Sequence, residues 1–213
     1  MKIYLVRHAE SERNRGKEHD KLSDTGIEQA KRLGLFLKDK HIDQVYCSTM
    51  TRTKETLKFA LENFKISTNK IKYVNDIVEQ DQGIFMNKPS KEYYYHIMKL
   101  KDEGVDLSNY KVGETGESFL DVEKRAQRFI DYLKENYQNK DHILLVSHGM
   151  FLRLFVLRLL KLPIEEMKYF GIHNASLSTF ELDKNFNVKD FEIDDYKHLL
   201  KYSSYDREVV EKV

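Results

Sequence analysis

Three short apolar runs stand out along the chain: Ile3 to Val6, Val45 to Cys47 and Ile143 to Val146. They are unbroken rather than alternating, the character of strands buried on both faces, and they predict a mainly parallel sheet. Between them the period changes. Ile27, Ala30, Leu33 and Leu37 recur at helical spacing, with Thr25-x-x-Glu28 as a capping box at the start. Val122, Ala126, Phe129, Ile130 and Leu133 follow Ser118-Phe-Leu-Asp121 and predict a second amphipathic helix that ends near Tyr137. Residues 150–160 are apolar on nearly every side, as expected of a helix buried against several neighbours, and Leu177 to Leu182 and Val188 to Ile193 read as late strands. Strands alternating with helices predict an α/β fold, a three-layer α/β/α sandwich. In such folds ligands sit beyond the carboxyl ends of the strands.

The chain has prolines only at Pro89 and Pro163 and no Gly/Ser-rich stretch, so a single domain over 1–213 is expected. Residues 85–115 are expected to form a helical cap insertion near the mouth of that ligand site. This region holds Tyr93-Tyr94-Tyr95-His96, read as packing groups ahead of a stacking platform, together with Lys88, Lys91, Lys99 and Lys101. The tail, 194–213, is highly charged and carries no identifiable chemistry. It is expected to form a surface helix or to fray.

The charge balance narrows the function. Lys and Arg number 36 against 35 Asp and Glu, which leaves no overall field for capturing nucleic acid or an anionic membrane. Cys47 is the only cysteine, which excludes an intramolecular disulfide and a multi-cysteine metal site and fits a reducing compartment. The first apolar run breaks after four residues, far short of the roughly 20 needed to span a membrane, so a cytoplasmic location is expected. Oligomeric state is left open.

The candidate chemistry lies at strand ends. The first strand ends in Arg7-His8 and a later one in Ser147-His148-Gly149, so two imidazoles are delivered to the sheet edge where a pocket is expected. A neutral imidazole is a competent nucleophile, and attack on a phosphate dianion needs positive charge that guanidinium groups supply with paired hydrogen bonds. Arg7 meets that need, as does Arg52, one helical turn beyond Ser48. Taken singly, each residue has a plainer explanation: a hydrogen-bonding histidine for His8, a surface ion pair for Arg52, a strand-to-helix turn for Ser147-His148-Gly149. Their conjunction points to phosphoryl chemistry.

With Arg7-His8-Ala9-Glu10 through Asn14, Leu22-Ser23-Asp24-Thr25-Gly26, Ser48 to Arg52 and Ser147-His148-Gly149 in this order, the chain resembles the histidine phosphatase superfamily, phosphoglycerate mutase-like branch. The resemblance implies a covalent phosphohistidine on His8, with phosphate held by Arg7, Asn14, Arg52, His148 and the Gly149 backbone amide. It also implies an acid/base glutamate in the segment Ile77-Val-Glu-Gln-Asp-Gln-Gly83, where Glu79 is the candidate and Asp81 its rival. Such an acid has to hold its proton, which burial beside an anion favours. Ala9 stands where the family commonly has glycine, and the nucleophile is expected to tolerate it.

The expected enzyme is a histidine acid phosphatase-type phosphomonoesterase acting on a small-molecule ester, with no cofactor and no metal. Two arginines in the pocket oppose a cation. Alternatives are a phosphoglycerate mutase and a non-catalytic phosphate-ester-binding module. Cofactor-dependent mutases of the family carry an arginine directly after the glutamate and a paired-arginine motif; here Gln80 follows Glu79 and no Arg-Arg pair occurs. Glu117 and Arg153 read as a helix-start acid and a helix-surface ion pair rather than as reacting groups.

Overall fold

The computed structural model describes residues 1–17, 19–136 and 142–199. Six strands form one sheet: β1 (Lys2–Arg7), β2 (Gln44–Ser48), β3 (Ile71–Val74), β4 (His142–Ser147), β5 (Leu177–Leu182) and β6 (Val188–Asp195). Their order is β3-β2-β4-β1-β5-β6. The first four are mutually parallel, while β5 and β6 extend the sheet antiparallel. Among the described residues the α-helices α1 (Asp24–Leu37), α2 (Thr51–Ala60), α4 (Phe119–Asn136) and α5 (Gly149–Leu160) pack on it, while α3 (Ser90–Asp102) packs in a separate cluster with Phe85 and Val112.

The unbroken apolar runs are explained by which neighbour each residue meets. Ile3 and Leu5 of β1, with Ile143 and Leu145 of β4, pack against α4 and α5 through Val122, Phe129, Phe151 and Phe155. Their alternates Tyr4, Val6, Leu144 and Val146 face the other way, onto Leu33 and Leu37 of α1 and Leu57 of α2. Both faces are thus removed from water, and each fully buried side chain of this kind contributes about 1.5–3 kcal/mol. This is the three-layer arrangement expected from the sequence.

One boundary differs from expectation. Helix α1 starts earlier than a Thr25/Glu28 capping box requires, because Ser23 is the N-cap and its Oγ accepts from Gly26 N at 3.0 Å. Ser23 Oγ also donates to Glu10 Oε1 at 2.6 Å, so the cap ties α1 to the loop after β1. Gly26 is required there: a Cβ would lie 1.9 Å from the Glu10 carbonyl oxygen. Helix α4 is described as far as Asn136, and the expected end at Tyr137 lies outside the described residues.

The beginning of the charged tail is not frayed. Asp194 accepts from His173 N at 2.6 Å and pairs with the His173 ring, His198 stacks on Phe36 of α1 at 4.7 Å, and Leu199 is buried. The rest of the tail, 200–213, lies outside the described residues. Within the expected cap insertion only Ser90–Asp102 is α-helical, and Tyr93 is buried against Phe85 with its hydroxyl donating to Gln80 Oε1 at 2.9 Å. Tyr93 is therefore a packing group. No described helix is long and apolar enough to cross a membrane.

Candidate active site

The meeting of the candidate residues follows from strand register. Arg7 lies opposite Ser147 in the β1/β4 pairing, and His8 N donates to Ser147 O at 2.9 Å, so the residues after the two strands emerge side by side. The His8 and His148 rings are 5.3 Å apart. Both are buried. Desolvation, then the positive charges of Arg52 and Arg7, hold His8 well below the ordinary imidazole value. His148 is lowered in the same way, by burial first and then by Arg52, His8 and Arg7.

His8 has one defined tautomer. Its Nδ1 lies 2.8 Å from the Ala9 carbonyl oxygen, which only accepts, so Nδ1 carries the hydrogen and Nε2 keeps its lone pair. Asn174 Nδ2 donates to His8 O at 2.8 Å, and Ala9 N donates to Thr56 Oγ1 at 2.9 Å, fixing the backbone beneath the ring. His148 Nε2 is 2.8 Å from Ser48 Oγ, while His148 Nδ1 makes no hydrogen bond among the described residues.

Arg7 Nη1 donates to Ile172 O at 2.6 Å, which orients the guanidinium over the start of α5. A Cβ on Gly149 would come 3.3 Å from Arg7 Nε, so glycine there gives the arginine its room. Ser48 is the last residue of β2 rather than part of a helix, and Arg52 sits in the first turn of α2. Arg52 is buried, and its Nη1 pairs with Asp20 Oδ1. Asn14 lies exposed in the turn after β1. Its Oδ1 accepts from Ser11 N and Ser11 Oγ at 3.0 and 2.9 Å.

Glu79 is placed differently from an acid desolvated in an apolar wall. Helix α5 has no side-chain cap of its own. Glu79 Oε1 supplies one from a distant loop, accepting from Met150 N at 3.1 Å and Phe151 N at 3.3 Å. The amino terminus of a helix is a ready anion site, so the setting is that of a carboxylate held by backbone amides at the start of α5. Asp81 is turned away: its Oδ1 accepts from Gly83 N at 2.8 Å within its own turn.

Several supporting residues were not foreseen. Arg125 holds Glu117 through two 2.7 Å bonds and donates from Nη1 to the carbonyls of Asp76 and Val78, while Glu117 Oε2 accepts from Asp81 N at 2.9 Å. Glu117 therefore anchors the Glu79 loop rather than merely starting a helix. Gln80 is buried, accepting from Tyr93 and donating to Glu117 O at 2.7 Å, and so faces the scaffold. Arg13, also buried, donates to the carbonyls of Lys88 and Phe85 and to Gln82 Oε1, pinning residues 82–88 beside the pocket. The signal for Arg125 was its position on the apolar stripe of α4, between Val122 and Phe129. Arg13 and Asp20 gave none.

The family model for the histidine phosphatase superfamily (branch 1) matches residues 3–192. The adenosylcobalamin/alpha-ribazole phosphatase of Escherichia coli is 27% identical over 197 residues, covering 87% of this chain and 92% of that protein. Phosphoserine phosphatase 1 of Hydrogenobacter thermophilus is 29% identical over 193 residues, covering 88% of this chain and 90% of its own. The crystal structure of the alpha-ribazole phosphatase from Shigella flexneri superposes with a TM-score of 0.75 at 25% identity, over 91% of this chain and 95% of that one. The chain belongs to the histidine phosphatase superfamily, branch 1.

Proposed function

We propose that the protein hydrolyses small-molecule phosphomonoesters through a phosphohistidine formed on His8. The observation that carries this reading is the 2.8 Å contact of His8 Nδ1 with the Ala9 carbonyl oxygen: an Nδ1–H committed there makes Nε2 the basic nitrogen, and burial disfavours the charged ring. Nε2 attacks phosphorus and the bond to the ester oxygen breaks. Arg7, Arg52, His148, the Asn14 amide and the Gly149 backbone N–H hold the non-bridging oxygens.

In this scheme Glu79 supplies the proton to the leaving oxygen, a role favoured when a phosphate dianion beside it disfavours a second negative charge. Its carboxylate then takes a proton from water, which attacks the phosphohistidine, releases phosphate and restores neutral His8. Positive charge from Arg7 and Arg52 does the work a cation would do, so turnover is metal-independent.

Hydrolysis is favoured over phosphoglycerate mutation by Gln80. The residue after Glu79 is occupied with Tyr93 and Glu117 and offers no cation to a second phosphate. The relatives named as phosphatases for alpha-ribazole and phosphoserine support the same choice. The test is a panel of phosphomonoesters including 3-phosphoglycerate, with a chelator present, read for both phosphate release and isomerisation. Wild type is expected to release phosphate, His8→Ala to release none, and Glu79→Gln to lose about 10²–10⁴-fold in kcat while still binding phosphate. Isomerisation without release would transfer the assignment to a mutase. Binding with neither activity would reduce the protein to a phosphate-ester-binding module.

A further inference from the structure

At the opposite edge of the sheet, where β2 and β4 begin, a second group of side chains meets. His41 and Asp43 precede β2, and His142 opens β4. Their ligand atoms all lie within 4.8 Å of one another. His41 Nε2 is 2.9 Å from Asp43 Oδ1, and His142 Nδ1 is 3.8 Å from Asp43 Oδ2. The two imidazoles stand edge to face with centroids 5.2 Å apart.

We infer that His41, Asp43 and His142 form a binding site for a borderline divalent cation, Zn²⁺ by preference, distinct from the phosphate pocket. Two imidazoles and one carboxylate are a donor set suited to zinc, with water in the fourth position. Tetrahedral bonds of about 2.0–2.1 Å put ligand atoms roughly 3.3 Å apart. His41 approaches Asp43 Oδ1 and His142 approaches Oδ2, and one ligand atom from each residue lies within 4.8 Å of the others, so binding draws the three together by up to about 1.5 Å.

Two of the three ligands are already positioned by backbone. Asp43 N donates to His142 O at 2.8 Å, and His142 N donates to Asp43 Oδ2 at 3.1 Å. Tyr4 lies nearly parallel to the His142 ring, 16° between planes with centroids 6.4 Å apart. His142 Nδ1 is buried and makes no hydrogen bond among the described residues, although it faces Asp43 at a distance too long for one. That is an unsatisfied nitrogen next to a carboxylate, a pairing that a shared cation resolves.

The location assigns the role. Residues 2 and 142 pair at one end of β1 and β4, Arg7 and Ser147 at the other, and five residue steps of strand separate the two sites by roughly 16 Å. A cation there takes no part in the chemistry at His8. It would link the loop between α1 and β2 to the start of β4.

The test uses untagged full-length protein, titrated with Zn²⁺ by calorimetry and with Co²⁺ by visible absorption, alongside His41→Gln and Asp43→Asn. His41 is mostly exposed, so its replacement leaves the core intact. The expected result is one equivalent bound, a tetrahedral Co²⁺ spectrum, and at least about tenfold weaker binding in each variant. Phosphate affinity at the other edge is expected to be unchanged in both. No saturable binding, or binding that both variants retain at full strength, overturns the assignment, whatever the outcome of the phosphatase assays.

Discussion

Replacing Asp20 with Asn removes the carboxylate paired with Arg52, the guanidinium that bears most strongly on both His8 and His148 after burial itself. A phosphate that uses Arg52 has to displace that carboxylate or share the arginine with a like charge. The Arg52 side chain is 3% exposed and that of Asp20 28%, so the pair sits between surface and interior. Unit charges about 4 Å apart interact by about 1 kcal/mol in water and about 4 kcal/mol at an effective dielectric constant near 20. Part of this returns when the displaced Asp20 is solvated, which leaves about 1.5–2 kcal/mol, or about 10- to 30-fold tighter binding of inorganic phosphate to Asp20→Asn. The gain applies alike to bound ester and transition state, so KM falls while kcat holds. Calorimetric titration with phosphate, and steady-state kinetics on one ester, check both statements. Phosphate affinity that is unchanged or weaker in Asp20→Asn would show that Asp20 orients Arg52 for the ligand instead of competing with it.

Stability is expected to fall on acidification. His8 and His148 are held below 6.5 in the folded protein, so between 6.5 and their lowered values the unfolded chain binds more protons, and stability present above pH 6.5 declines as pH drops through that window. Urea midpoints from pH 8 to 5 measure this, and His148→Asn should flatten the slope; a steeper slope in the variant would contradict the sign. Gly26→Ala forces a Cβ to 1.9 Å from the Glu10 carbonyl and should cost more than about 3 kcal/mol, read as the shift in unfolding free energy. A loss under 1 kcal/mol would mean α1 moves freely. Arg13→Met removes the bonds to Lys88, Phe85 and Gln82, so proteolysis within 82–88 should quicken and KM rise more than kcat falls. Unaltered proteolysis would place the hold on that segment elsewhere.

The parts legible in the sequence are those set by continuous local pattern. Ile3–Val6 and Ile143–Val146 announced β1 and β4, and because those strands are direct neighbours, the histidines that follow them had to meet. Parallel neighbours also explain why Arg52, just past β2, reaches the same place. Antiparallel β5 and β6 read as strands, and the short loop between Leu182 and Val188 makes them a hairpin, but the direction of β5 against β1 depends on the long connection through α5 that no local pattern encodes. Edge strand β3 is only four residues long and half exposed, too short to raise a signal.

The supporting shell was hidden for a different reason. Arg13 bonds to carbonyl groups more than 70 residues away, and a backbone carbonyl has no identity in a sequence. Ser23 rather than Thr25 caps α1 because its hydroxyl also reaches Glu10, a contact made by the loop after β1. Glu79 was placed by resemblance, yet its carboxylate caps α5, a helix whose own first residues lack a side-chain cap. Arg125 alone left a trace, as a charge on an apolar stripe. Such a residue is best read as a buried anchor until a partner is found.

The covalent intermediate on His8 is open to direct observation. Wild type mixed with an excess of a phosphomonoester, quenched in alkaline denaturant within the first turnovers and analysed by peptide mass spectrometry, is expected to carry one phosphoryl group on the peptide containing His8, absent from His8→Asn. Sustained phosphate release with no such adduct, and with activity retained in His8→Asn, would contradict it.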